Sequence, residues 1–340
     1  MKTALVLACD DNFIPYTSVV ARRIAYYARE KFPIIVVSDC VTDENKRLAQ
    51  KFCPQISFIE AGHLFENRTF RMTTAVTRAT CLRLFLDEIL ADFDRAVSLD
   101  SDLSPMTDIS PLLYMVPKVA PVIAGYDLLE LPTLVNNDRV GMSPDKAYFN
   151  SGVMVYDLQA IRHEKILSSA LQFALNNPDR CKYVDQDAQN AILDGRWQVM
   201  DWRWNTLNYS SDSLPKQPFI RHFAGNNKPW SQNKVGIQPT FINQWRSDLQ
   251  DSPWTGCFHE ETIKRRIRNS LRPIAVKIES RIKSQIYNGS RGRRGQRMRD
   301  ADHFLDLLSF IEKAASQGSL ALPLVSFDAG KENARQIHSQ

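Results

Sequence analysis

The stretch Arg95-Ala96-Val97-Ser98-Leu99-Asp100-Ser101-Asp102 sets a short apolar run directly against two acids. Residues 95 to 99 fit a buried strand, and the acids stand at its carboxyl end. Ligands of open parallel sheets gather at that end. In an extended segment alternate side chains share a face, so Asp100 and Asp102 lie roughly 6.6 Å apart along the chain. Two carboxylates so placed suit one hard divalent cation, with water and substrate phosphate completing its shell. An EF-hand fits poorly, because Pro105 replaces the required glycine and Pro111 the terminal glutamate. A bare Asp-x-Asp is common by chance. Its position after an apolar strand is what gives it weight.

Strands and helices alternate on both sides of this segment. Thr3 to Ala8, Ile34 to Val37, Ile56 to Ile59 and Ala120 to Gly125 are strand-like. Between them, helical stretches are expected from Pro15 to about Lys31, from Asp43 to Phe52 and from Thr73 to Leu90. This order implies an α/β fold, with a mainly parallel sheet covered on both faces. Met1 to Cys9 superficially imitates a leader peptide, yet Asp10 and Asp11 follow too soon for a full apolar region. No run approaches the roughly 20 apolar residues needed to cross a bilayer. The 6 cysteines show no Cys-x-x-Cys spacing, which fits a reducing cytosol and argues against zinc held by cysteine pairs.

The chain has 340 residues, 44% of them hydrophobic and 24% charged, an ordinary globular composition. Its net charge of +5 is unevenly spread. Residues 262 to 299 hold thirteen Lys or Arg against one acid, Glu279; with −3 on residues 300 to 340, this leaves −4 on residues 1 to 261. Apolar residues at 263, 267, 271, 274, 278, 282 and 286 mark one helical face, and Lys and Arg fill the other. Pro273 interrupts or kinks that helix. Three parts are therefore expected: a body over 1–250, a basic helical arm over 251–299, and a short helix with a loose tail over 300–340. An isoleucine stripe backed by cations suits an anionic membrane surface, met through residues 263–299. Nucleic acid is not the expected partner, since Tyr287 alone offers a stacking ring in the arm.

Neither a GxGxxG nor a GxxxxGK[ST] motif is present. Polar residues instead cluster at expected strand ends. Asp10-Asp11-Asn12 follows the first strand, where it could meet a ligand or form an Asx turn capping the next helix. Tyr148 to Asp157 places Asn150, Ser151 and Gly152 at the mouth of an apolar strand, with the glycine allowing close backbone approach. Asp185-Gln186-Asp187 opens a helical run, where acids also serve as N-terminal charges. His222 to Trp230 combines a possible metal ligand, Gly225 and the cation Lys228, and reads as a phosphate-facing loop.

These segments, in this order, resemble the retaining glycosyltransferases of family 8, which include bacterial lipopolysaccharide galactosyl- and glucosyltransferases and the glycogenins. The resemblance spans Thr3 to Trp230. It implies a GT-A, Rossmann-like fold, with residues 1–250 as the nucleotide-sugar-binding catalytic domain. It also implies a UDP-hexose donor (galactose or glucose), Mn²⁺ or Mg²⁺ as cofactor, and a glycan or glycolipid acceptor. By position, Ala8, Asp10 and Asn12 match the family's uridine-binding segment. Asp100 and Asp102 match its DxD motif, with His222 completing the metal set, and Gly225 and Lys228 its pyrophosphate contacts. Arg83, Asp127, Asn150, Asp185 and Gln186 match the positions around the donor sugar. Ser101 and Gly152 are expected with them among the donor-binding residues, and both Ser101 and Ser151 depart from the apolar or alanine residues common in relatives. Whether Gln186 attacks or only positions the sugar stays open, although an amide oxygen is a poor nucleophile. A UDP-sugar hydrolase using the same pocket is the alternative. The expected location is cytoplasmic, on the inner face of the membrane.

Overall fold

The computed structural model describes residues 1–70, 77–127, 133–143, 146–207, 217–262 and 324–325. The first half runs β1 (Thr3–Asp10), α1 (Ile14–Tyr27), β2 (Ile34–Asp39), α2 (Asp43–Phe52), β3 (Ile56–Glu60), α3 (Leu86–Ile89), β4 (Arg95–Leu99), β5 (Leu103–Pro105), α4 (Ser110–Tyr114) and β6 (Val122–Tyr126). After these come α5 (Thr133–Val140), β7 (Phe149–Asp157), α6 (Leu158–His163), α7 (Ile166–Asn176), α8 (Val184–Leu193), β8 (Gln198–Met200), β9 (Ile220–His222), α9 (Pro239–Gln250) and the short β10 (Leu324–Val325).

Strand order in the main sheet is β10-β8-β6-β7-β4-β1-β2-β3. All neighbours are parallel except β7, which runs antiparallel to both β4 and β6. The mainly parallel sheet expected from the alternation is present, flanked by helices. Alternation along β1 explains why both faces are covered. Ala4 and Val6 enter a core shared with Met154, Tyr156 and Leu167, while Leu5 and Leu7 enter one shared with Val20, Val97 and Trp245. A strand buried on both sides reads as a continuous apolar run, which is why its sequence shows no period of two.

The stretch expected as one helix from Thr73 to Leu90 differs. Its first residues lie outside the described ones; Arg78–Phe85 is a 3-10 helix and only Leu86–Ile89 is α-helical. Six of the eight 3-10 residues are buried, including Arg83. Burial on nearly all sides overrides the local α preference, and the tighter winding turns Arg83 inward. The body also continues past α9: Trp254 and Phe258 pack on the core, and Tyr16 donates through its hydroxyl to Cys257 O (3.0 Å). The expected basic arm, 263–299, and the tail to 340, save 324–325, lie outside the described residues.

β1 connects onward to β2 on one side of the sheet, while β4 joins it on the other. That reversal opens a crevice at the carboxyl ends of β1 and β4, the position ligands take in such sheets. Leu7 lies beside Leu99 in the register, so the residues after each face one another. Ser101 Oγ accepts from the Thr17 hydroxyl (2.8 Å) and donates to Ala8 O (3.3 Å), tying the Asp-Ser-Asp turn to β1 and α1.

Candidate active site

A cleft of about 360 Å³ opens at this crevice. It is lined by Ala8, Arg83, Asp100, Ser101, Asp102, Asp127, Asn150, Asp185, Gln186, His222, Gly225 and Lys228, all expected from the sequence. Asp10, Asn12 and Gly152 are not among its lining residues. Asp10 Oδ1 accepts from the backbone N–H of Asn12 (3.1 Å) and of Phe13 (3.0 Å), forming an Asx turn before α1. Gly152 lies behind His222: a Cβ there would sit 2.3 Å from His222 Cε1. Its service is to admit the imidazole.

At one end stand Asp100, Asp102 and His222, whose ligand atoms all lie within 4.8 Å of one another. His222 is brought there by β9, which pairs antiparallel with β5 and sets Leu103 opposite His222. Nε2 lies 3.2 Å from Asp102 Oδ1 and 3.6 Å from Asp100 Oδ2. Each carboxylate commits its other oxygen to a cationic side chain: Asp100 Oδ1 to Arg83, Asp102 Oδ2 to Lys228. Asp102 Oδ1 is buried and has no hydrogen-bond donor among the described residues. A buried, unsatisfied carboxylate oxygen facing an imidazole nitrogen calls for a positive charge between them. Neighbouring donors of an octahedral ion 2.0–2.1 Å from each would be about 3 Å apart, so the spacing fits. Burial works to raise the Asp102 pKa, but the Lys228 ammonium holds the group well below the ordinary carboxylate range.

Lys228 also donates to Phe223 O (2.7 Å), which keeps its ammonium at the cleft. Gly225, in the loop between them, has φ +81°, a left-handed conformation that favours glycine. No side chain lies within 4 Å of where a Cβ would stand, leaving that backbone open to a ligand.

At the other end, Gln186 on the first turn of α8 donates through Nε2 to Asp127 Oδ2 (2.7 Å) and accepts at Oε1 from Asn150 Nδ2 (3.2 Å). Asp185 and Asp100 meet on the fully buried Arg83 guanidinium, which also donates to Ser98 (3.3 Å) and Ser151 (3.1 Å). Burial would lower the Arg83 pKa, and the two carboxylates more than reverse it. Burial dominates at Asp185 instead, and its carboxyl is pushed up to about 6 despite Arg83. Asp187, named with them, faces inward: it accepts from the Tyr148 hydroxyl and pairs with Arg139 (2.7 Å), joining α8 to α5 and to the residue just before β7.

Several residues here escape a sequence reading. Thr77, Thr80, Tyr183 and Asn226 line the cleft, and Asn205 stands behind His222 with its Oδ1 2.9 Å from Nδ1. Thr77, Thr80, Tyr183 and Asn205 lie in no recognisable motif. Asn226 is different, since it follows β9 in the loop of Gly225 and Lys228 that the sequence reading had singled out.

Comparison with known proteins bears on family and fold. Residues 4–234 match the family model described as glycosyl transferase family 8. General stress protein A of Bacillus subtilis is 28% identical over 217 residues, covering 56% of this chain and 73% of the relative. Lipopolysaccharide 1,2-glucosyltransferase of Escherichia coli is 28% identical over 201 residues, covering 54% of this chain and 57% of that protein. Among solved structures, galactosyltransferase LgtC in complex with donor and acceptor sugar analogues superposes with a TM-score of 0.66 at 21% identity, over 75% of this chain and 99% of LgtC. At that identity the likeness speaks for the fold, which is the GT-A fold. With the family model matching well over half of its length, the chain belongs to glycosyl transferase family 8.

Proposed function

We propose that the protein transfers a hexose, galactose or glucose, from a UDP-sugar to a hydroxyl group of a glycan or glycolipid acceptor, with retention at the anomeric carbon. The observation that carries this reading is the division of one cleft into two ends. One end holds Asp100, Asp102 and His222 beside Lys228 and the open backbone of Gly225. The other presents Asp127, Asn150, Asp185 and Gln186, groups suited to sugar hydroxyls. Asp100, Asp102 and His222 would hold the cation, Mn²⁺ or Mg²⁺, which when bound neutralises charge on a diphosphate. Lys228 adds a second positive charge where the departing UDP gathers negative charge. Gln186, held by Asp127 on one side and Asn150 on the other, fixes the sugar and offers no strong nucleophile. Attack by the acceptor from the face that UDP leaves is the reading these residues favour. Arg83 keeps Asp100 and Asp185 apart as charges and aligned as acceptors.

The Escherichia coli relative's name supports a lipopolysaccharide or other envelope acceptor. Residues 263–299, with an apolar stripe at 263, 267, 271, 274, 278, 282 and 286 backed by Lys and Arg, fit attachment to an anionic membrane surface. The test of the reaction is a screen of UDP-hexoses by UDP release, with products analysed with and without a glycan acceptor. Release that yields only free sugar, with no acceptor able to intercept it, would make the protein a hydrolase.

A further inference from the structure

A line of amides links the two ends of the cleft, and its polarity is set by backbone. Gly152 N–H donates to Asn150 Oδ1 (3.0 Å), and Ser151 N–H donates to Gln186 Oε1 (2.9 Å). A backbone N–H can only donate, so both side-chain oxygens are fixed as acceptors. Asn150 Nδ2 therefore donates to Gln186 Oε1 (3.2 Å), and Asn205 Nδ2 donates to Asn150 Oδ1 (2.8 Å). Asn205 is left with its Oδ1 turned to His222 Nδ1 at 2.9 Å. That oxygen can only accept. Nδ1 must therefore carry a proton, and Nε2 is the ring atom turned toward Asp102 Oδ1 and Asp100 Oδ2, the one left to act as a ligand.

The packing around this pair is built to keep it. Asn205 and His222 are both buried, at 5% and 2% exposure. Two glycines of neighbouring strands make room for them. A Cβ at Gly152 would stand 2.6 Å from His222 Nδ1, and one at Gly125 would stand 3.3 Å from Asn205 Cβ. Backbone bonds lace the segments carrying the two side chains: Phe219 N–H to Arg203 O (2.8 Å), Thr206 N–H to Ile220 O (3.0 Å) and His222 N–H to Thr206 O (2.8 Å).

We propose that Asn205 is a positioning residue, which holds His222 in the Nδ1–H tautomer and so presents the Nε2 lone pair to a divalent cation. Its own orientation comes from Gly152 N–H through Asn150, which makes the metal end answer to the same amides that orient Gln186. The cation half of this inference rests on the function proposed above; the tautomer half does not. Partners of ligating histidines fix ring orientation and are commonly worth 10- to 100-fold in metal affinity.

The test uses the full-length protein labelled with ¹⁵N-histidine, with His222→Gln identifying the signal among the 6 histidines. Metal-free wild type should show a proton on His222 Nδ1. Mn²⁺ titration should give Asn205→Ala a dissociation constant about 10- to 100-fold weaker than wild type. Asn205→Asp keeps an acceptor for Nδ1–H and should retain both the tautomer and an affinity within several-fold of wild type. A His222 Nδ1 without a proton in wild type overturns the inference whether or not the variants fold. So does Mn²⁺ binding by Asn205→Ala equal to wild type, or Asn205→Asp no better than Asn205→Ala. Wild type that binds no Mn²⁺ overturns the cation reading itself, a result distinct from loss of the Asn205 contribution alone.

Discussion

Asp102 illustrates how a single carboxylate is made useful by what surrounds it. One oxygen is neutralised by Lys228, and the other is buried, unsatisfied and turned to His222. Left in this state the group is costly; with a cation in place it is matched. Asp100→Ala or Asp102→Ala should therefore lower transfer at least about 100-fold, comparable to losing a major electrostatic stabiliser. Steady-state UDP release at saturating donor measures this, and turnover within tenfold of wild type would count against the ligand assignment. Residues at the sugar end should behave differently. Under the proposed function Asp127→Asn and Gln186→Ala would remove contacts to the reacting sugar, so kcat should fall while UDP affinity stays within a few-fold. Calorimetric titration of UDP distinguishes the cases: collapse of UDP binding would move these residues to the nucleotide.

At the scale of elements, the 3-10 segment Arg78–Phe85 has the most to hold. It inserts Arg83 between β4 and α8, where the guanidinium spans Asp100, Asp185, Ser98 and Ser151. Arg83→Met leaves two carboxylates without their partner and should cost about 3–5 kcal/mol in urea unfolding. A loss below 1 kcal/mol would show that water reaches Asp185 more readily than its burial implies. The same element marks the limit of what the sequence discloses. The apolar runs of β1, β2 and β4 announced themselves, as did α2 over Asp43–Phe52, since each follows from local pattern. The 3-10 winding did not, because it answers to burial on several sides at once. Nor did the antiparallel direction of β7: an apolar run carries no sign of its neighbours' sense. Within the site, the carboxylates and His222 were legible as chemistry at strand ends. Asn205 was not, since its part depends on a neighbour 17 positions away and on the glycines that admit it.

For the whole molecule, charge separates a mildly acidic body from the strongly basic stretch 262–299. Cations near an anionic surface contribute about 1 kcal/mol each at most, reduced by screening. Replacing Lys264, Arg265, Arg266 and Arg268 by Gln in the full chain should weaken sedimentation with phosphatidylserine-containing vesicles at least tenfold, with UDP release unchanged. Equal sedimentation would place the attachment elsewhere. The central claim, that this cleft performs cation-dependent transfer from a UDP-hexose, is tested most directly by UDP release from UDP-galactose and UDP-glucose with Mn²⁺ and with excess chelator. The expected result is release from at least one donor that falls to background with chelator and returns on adding Mn²⁺. Release undiminished by chelator, or none from either donor with Mn²⁺ and acceptor glycans present, would contradict it.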